Sequence, residues 1–132
     1  MSVNKKDEIL NILRNLELDR TAVTLMQEDI ARIAEDQKRE ELPALQREAL
    51  EKERLELLSC MVATENHIRR VERLLALLAP EEREVLVKTL IRPYPEAIFD
   101  LASDFKCETT RIYRLRARAI SKLVRLRFGA GE

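Results

Sequence analysis

The chain has 132 residues, with 24 Lys+Arg balanced by 24 Asp+Glu, 4% aromatic residues, two glycines and four prolines. That length supports one domain, or a small domain with an extended helical element, and zero net charge names no partner class. The Ala, Glu, Lys, Leu and Arg content is that of long helices and coiled coils and excludes a β-sandwich or barrel, while scarce glycine excludes a phosphate-cradling loop.

The opening segment, Met1-Ser2-Val3-Asn4-Lys5-Lys6-Asp7-Glu8, lacks the apolar stretch of a secretory signal. No apolar run approaches the ~18 residues that span a bilayer, so no membrane contact and a cytoplasmic location are expected. Ile9, Leu16, Val23 and Ile30 then recur every seven residues, interleaved with Ile12, Met26 and Ile33. This is a heptad stripe, interrupted where Asp19 takes an apolar position. Pro43 has no backbone donor and clashes with the preceding turn, so the helix is expected to end or bend there. A second long helix starts near Ala44, with the seam Leu50, Leu57, Met61, Thr64, Ile68, Val71, Leu75 and Leu78. Between Glu35 and Glu56 apolar positions are sparse, as in a solvated stretch around a bend. A stripe of this length needs a partner: the first helix folded back at Pro43, or the same helix of another subunit. Hairpin and intermolecular coiled coil use the same residues.

Pro80-Glu81-Glu82 has the form of a helix start, with proline in the first turn and acids at the positive end of the dipole. The helix carries Val85, Leu86, Leu90 and Ile91 until Arg92-Pro93-Tyr94-Pro95 stops it. Pro95 and Glu96 open another, holding Ile98, Leu101 and Ala102. A short turn leads to a final helix from Thr109 to Phe128. Residues 98–117 fit a helix-turn-helix without a wing. Ala102 is the small residue at the helix crossing; Leu101, Phe105, Cys107, Ile112 and Leu115 seal the pair. Lys106 stands where the turn favours a left-handed glycine. Glu108 replaces the usual Ser or Thr cap, with Thr109 able to cap one residue later. The expected organisation is all-α: residues 1–79 as a long helical hairpin or coiled coil serving oligomerisation, and residues 80–132 as the helix-turn-helix domain.

Charge is unevenly distributed. Residues 106–132 hold eight Lys or Arg against Glu108 and Glu132. Projected at 100° per residue, Ile112, Leu115, Ala119, Leu123 and Leu126 of the final helix face inward. Thr110, Arg114, Ala117, Arg118, Ser121 and Arg125 lie opposite, flanked by Arg111 and Tyr113. Aligned arginines of this kind can reach phosphates and guanine edges in a major groove. Arg116 projects towards the packed side and is expected to pair with an acid such as Glu82 or Asp100.

Other side chains carry little chemistry. His67, the lone histidine, is a surface or packing residue, and Met26 and Met61 are core filler. Cys60 and Cys107 are isolated, which suits reduced thiols and neither zinc nor a disulfide framework. No nucleophile has an activating base, so an enzyme is not expected, nor any metal or cofactor.

From Leu78 to Leu126 the chain resembles the fourth conserved region of bacterial sigma factors. The residues that carry this are Pro80-Glu81-Glu82-Arg83-Glu84-Val85-Leu86, Leu101-Ala102, Thr110-Arg111-Ile112-Tyr113-Arg114, Arg118-Ala119 and Leu123. Joined to long N-terminal helices, the layout is similar to small sigma-like regulators of phages and prophages. The resemblance implies a transcription regulator binding double-stranded promoter DNA, with RNA polymerase as a further partner and a homodimer formed through the N-terminal helices. By position it implies base contacts from Thr109, Thr110, Tyr113 and Arg114 and backbone contacts from Arg111, Arg118 and Lys122, with Arg125 further along the stripe. The alternative is a protein-interaction module docking on RNA polymerase or another regulator through its coiled coil and helix-turn-helix.

Overall fold

The computed structural model describes residues 4–130. Met1–Val3, where the absence of a secretory signal was read, lie outside the described residues, as do Gly131 and Glu132 of the tail. Regular structure among the described residues is entirely helical: α1 (Lys5–Arg14), α2 (Leu16–Gln37), α3 (Ala44–Ala76), α4 (Pro80–Leu86), a π-helical stretch (Val87–Ile91), α5 (Ala97–Asp104) and α6 (Thr109–Phe128). These form two compact units, residues 18–69 and residues 1–17 together with 70–132. The first holds 8 Lys+Arg and 12 Asp+Glu, the second 16 and 12, so the basic surplus falls on the unit that contains α6.

In the unit of residues 18–69, α2 stops at Gln37, ahead of Pro43. Arg47, in the first turn of α3, donates to the carbonyls of Gln37 (2.9 Å) and Arg39 (2.8 Å), so a guanidinium satisfies acceptors that the ended helix leaves open. Gln37 also donates to Glu51 at 2.8 Å. The Arg54 guanidinium, then the Gln37 amide, hold the Glu51 carboxyl down to about 2. At the other end His67 Nε2 lies 3.7 Å from Asp19 Oδ2, an ion pair when the imidazole is protonated. Apolar burial here is thin. Ile33 and Ile68 are buried, Val23, Ile30, Leu57 and Met61 are half-buried, and Leu18, Leu25, Leu55 and Val62 are exposed.

The other unit has a dense core. α1 ends at Asn15, ahead of the interruption of the heptad stripe at Asp19. Asparagine is a common helix stop, so the signal was present in the sequence. Once separated, α1 packs against α6 and the π-helical stretch, with Ile9 and Leu13 fully enclosed. Glu8 reaches Arg127 (3.8 Å), Lys5 sits over the Phe128 ring (5.7 Å), and Glu17 pairs with Arg92 (3.2 Å). Arg83 donates to the carbonyls of Leu75 (3.0 Å) and Leu78 (3.1 Å), closing the end of α3.

α4 begins at Pro80, as its sequence predicts, and Glu82 accepts a hydrogen bond from the Ala79 N–H at 3.1 Å. Past Leu86 the helix widens into π geometry, where the Arg92 N–H bonds the Val87 carbonyl (2.8 Å) and the Thr89 hydroxyl bonds that of Val85 (2.7 Å). A threonine bonding back into the ladder loosens the α repeat.

Between α5 and α6, Lys106 has φ 53, the left-handed conformation that its place in the turn requires. Val85, Leu101, Ala102, Ile112 and Leu115 form one buried cluster, with Ile98, Phe105 and Cys107 packed against it. Ala102 leaves room for the close approach of α5 to α6. A side chain at positive φ is strained where glycine is not, so Lys106→Gly should raise stability by about 0.5–1 kcal/mol in urea denaturation. An equal or lower midpoint would mean that Lys106 makes compensating contacts.

Candidate nucleic-acid interface

α6 runs for 20 residues, about 30 Å at 1.5 Å per residue. It starts after Glu108, whose extended backbone (φ −79, ψ 157) sets the helix direction without a side-chain cap. Thr109 is the first helical residue and not the cap expected of it. At the far end Gly129 adopts φ 76, and its N–H closes on the Arg125 carbonyl at 2.8 Å.

The buried face of α6 is Ile112, Leu115, Ala119, Ile120 and Leu123. Leu126, expected inward, is 47% exposed, while Ile120, which the projection left out, is 4% exposed. The reason is α1: it covers the side of α6 that carries Ile120, and nothing equivalent covers Leu126. The apolar underside is therefore rotated towards α1, and the opposite side remains open.

On that open side Thr110, Arg111, Tyr113, Arg114, Arg118 and Arg125 are all exposed, and Thr109 is half-buried at the rim. Spacings of three, four and seven residues align Arg111, Arg114, Arg118 and Arg125 along the helix. None of these four has a hydrogen-bonded or ion-pair partner among the described residues. Glu82, whose carboxyl the Arg118 charge helps to lower, is hydrogen-bonded to Lys122 instead.

Lys122 is placed differently. Its Nζ bonds Glu82 Oε1 at 2.8 Å, and Glu82 is 3% exposed. Burial alone pushes the Glu82 carboxyl up. The bonds from Lys122 and the Ala79 N–H, with the charges of Lys122 and Arg118, outweigh that and hold it below the usual carboxylate range. Lys122 thus ties α6 to α4, a duty the basic pattern did not reveal.

Arg116 does not make the ion pair expected of it. Glu82 is taken by Lys122, and Asp100 lies against the Tyr94 phenol, which burial first and then that carboxylate push up. The Arg116 Nε is buried without a hydrogen-bond partner. Beside it opens a cleft of about 250 Å³ between α1 and α6, walled by Lys6, Leu10, Tyr113, Arg116, Ala117 and Ile120. Lys6 is a basic residue on this side of the unit that helix periodicity had assigned to no site.

No group of three or more His, Cys, Asp or Glu among the described residues could hold a metal ion. No helix there is long and apolar enough to cross a membrane. Chemically, the open side of α6 offers charged hydrogen-bond donors along one helix, suited to a polyanion or an acidic protein surface. No family model, curated protein or solved structure matches the chain.

Proposed function

We propose that the chain is a sequence-specific, DNA-binding transcription regulator of the sigma region 4 type, as in phage and prophage regulators. In this reading α5 and α6 are a helix-turn-helix, and α6 enters the major groove with Thr110, Tyr113 and Arg114 at base edges. Arg111, Arg118 and Arg125 meet phosphates. One observation carries it: four guanidinium groups stand exposed along one side of α6, with no acid among the described residues bonded to them, over an aliphatic underside. The positive φ at Lys106 and the closeness of α5 to α6 at Ala102 support the same motif. Exposed Leu18, Leu25, Leu55 and Val62 on α2 and α3 support pairing of those helices as a hairpin that joins two copies, which would give DNA two reading helices in a cytoplasmic homodimer.

Arg114→Ala should then weaken binding to a selected operator by about 1–3 kcal/mol while sparing random duplex, and Arg118→Ala should weaken both alike. Gel-shift titrations on operators selected from random DNA measure this. Equal losses on both duplexes for both variants would refute the division of roles.

A second reading, docking on RNA polymerase or another regulator, is favoured by Phe99, which α5 leaves 69% exposed. A large exposed aromatic beside acids is a protein-contact feature and not a phosphate-contact one. The two readings are compatible, since α5 and α6 would serve different partners.

A further inference from the structure

We propose that the cleft between α1 and α6 seats one phosphate group of the DNA backbone, gripped by Lys6 and Arg116. The inference rests on the DNA-binding reading above and adds to it a contact made from outside α5 and α6. The cleft, about 250 Å³, is walled by Lys6, Leu10, Tyr113, Arg116, Ala117 and Ile120, so two cations and a phenol line it and no acid does. Neither Lys6 nor Arg116 has an ion-pair partner among the described residues. A buried guanidinium nitrogen without an acceptor is uncommon in a folded protein, since desolvating it uncompensated is unfavourable. The Nε itself is closed to an outside anion, so a phosphate in the cleft would meet the rest of the half-buried Arg116 guanidinium at the cleft wall.

Position selects the source of the anion. Tyr113 and Ala117 belong both to this cleft and to the open side of α6, so the cavity borders the strip that would face the groove. A duplex laid along Arg114 and Arg118 brings its own backbone to that border. α1 is held there by the burial of Ile9 and Leu13, which fixes the backbone that carries Lys6 beside the cleft.

The full-length chain, titrated by fluorescence anisotropy against a random-sequence duplex at several salt concentrations, tests this. Lys6→Gln/Arg116→Gln should flatten the slope of log affinity against log salt by about 0.9, one phosphate's share, and lose about eightfold in affinity at 0.1 M salt. Thermal melts of Lys6→Gln, whose side chain is exposed, separate loss of contact from loss of folding. In a parallel arm, inorganic phosphate is titrated while the Arg116 Nε–H resonance is followed. A shift produced by duplex at micromolar levels and by orthophosphate only at far higher concentration supports the backbone source. An unchanged slope in the double variant, with Arg118→Ala still flattening it, overturns the cleft contact and leaves the DNA reading standing. Tight orthophosphate binding that duplex does not displace overturns the proposed source. Failure of the unaltered chain to bind any duplex at low salt removes the DNA reading itself.

Discussion

Ile9→Ala should destabilise the unit that carries α6 by about 2–5 kcal/mol, although residue 9 is remote in sequence from every residue of α6. Ile9 is fully enclosed, in a helix that packs against α6 and the π-helical stretch. Truncation removes three carbons from a close-packed site, and the surrounding helices relax only partly into the gap. Chemical denaturation followed by circular dichroism, with Tyr113 fluorescence in a Tyr94→Phe background as a local probe, gives the midpoint. The Tyr113 transition should move with the global one. If α1 were an independent appendage, the substitution would leave the Tyr113 midpoint unchanged. A fragment of residues 80–132, which lacks α1, should for the same reason expose Ile120 and melt below the full chain.

Lys122→Met carries the second large effect, a loss of about 2–3 kcal/mol at neutral pH. The substituted side chain keeps most of its aliphatic stem, so packing changes little. What is lost is the hydrogen-bonded cation that offsets the burial of Glu82. The pH dependence gives a second readout. With its carboxyl held below the usual range, Glu82 stabilises the fold above its unfolded pKa of roughly 4.3, and that contribution disappears as pH falls through the lower folded value. In the variant, burial acts without Lys122 and raises the carboxyl, so the gap from the parent protein should narrow in acid. Glu82→Gln/Lys122→Met should recover most of the loss, because the amide oxygen still accepts from the Ala79 N–H and no uncompensated charge is left buried. A double variant as unstable as the single one would show that Lys122 acts through packing alone.

The residue pattern made α6 legible from end to end, because a 3.6-residue apolar period over twenty residues, with Glu108 before it and Gly129 after it, is a strong local signal. Lys106 was legible for a stereochemical reason: the turn needs one left-handed residue, and its place in the motif fixes which. Other features depend on which partner an element meets, and periodicity does not carry that information. The first helix reads as the start of a heptad rod, yet Asn15 ends it and its apolar side meets α6. That contact determines why Ile120 is buried and Leu126 is not. In the same way, nothing within residues 106–132 says that Lys122 is spoken for, since its acid lies on α4. For the basic strip, exposure and the lack of bonded acids add to what spacing alone supplied, and Arg116 is the one position where the expected pairing was replaced by an unfilled requirement.

The packing of α1 on α6 also constrains how the molecule is made. Ile9 leaves the ribosome well ahead of Ile120 and must await it, so the unit holding the arginines closes only after α6 has emerged. The intervening residues 18–69 can organise earlier as local helices, whereas joining segments so distant in sequence lengthens the search for the native fold. A message cut short before α6 would yield a chain with Ile9 and Leu13 uncovered, a target for chaperones and proteases. Quality control on such fragments would then ensure that only completed copies persist.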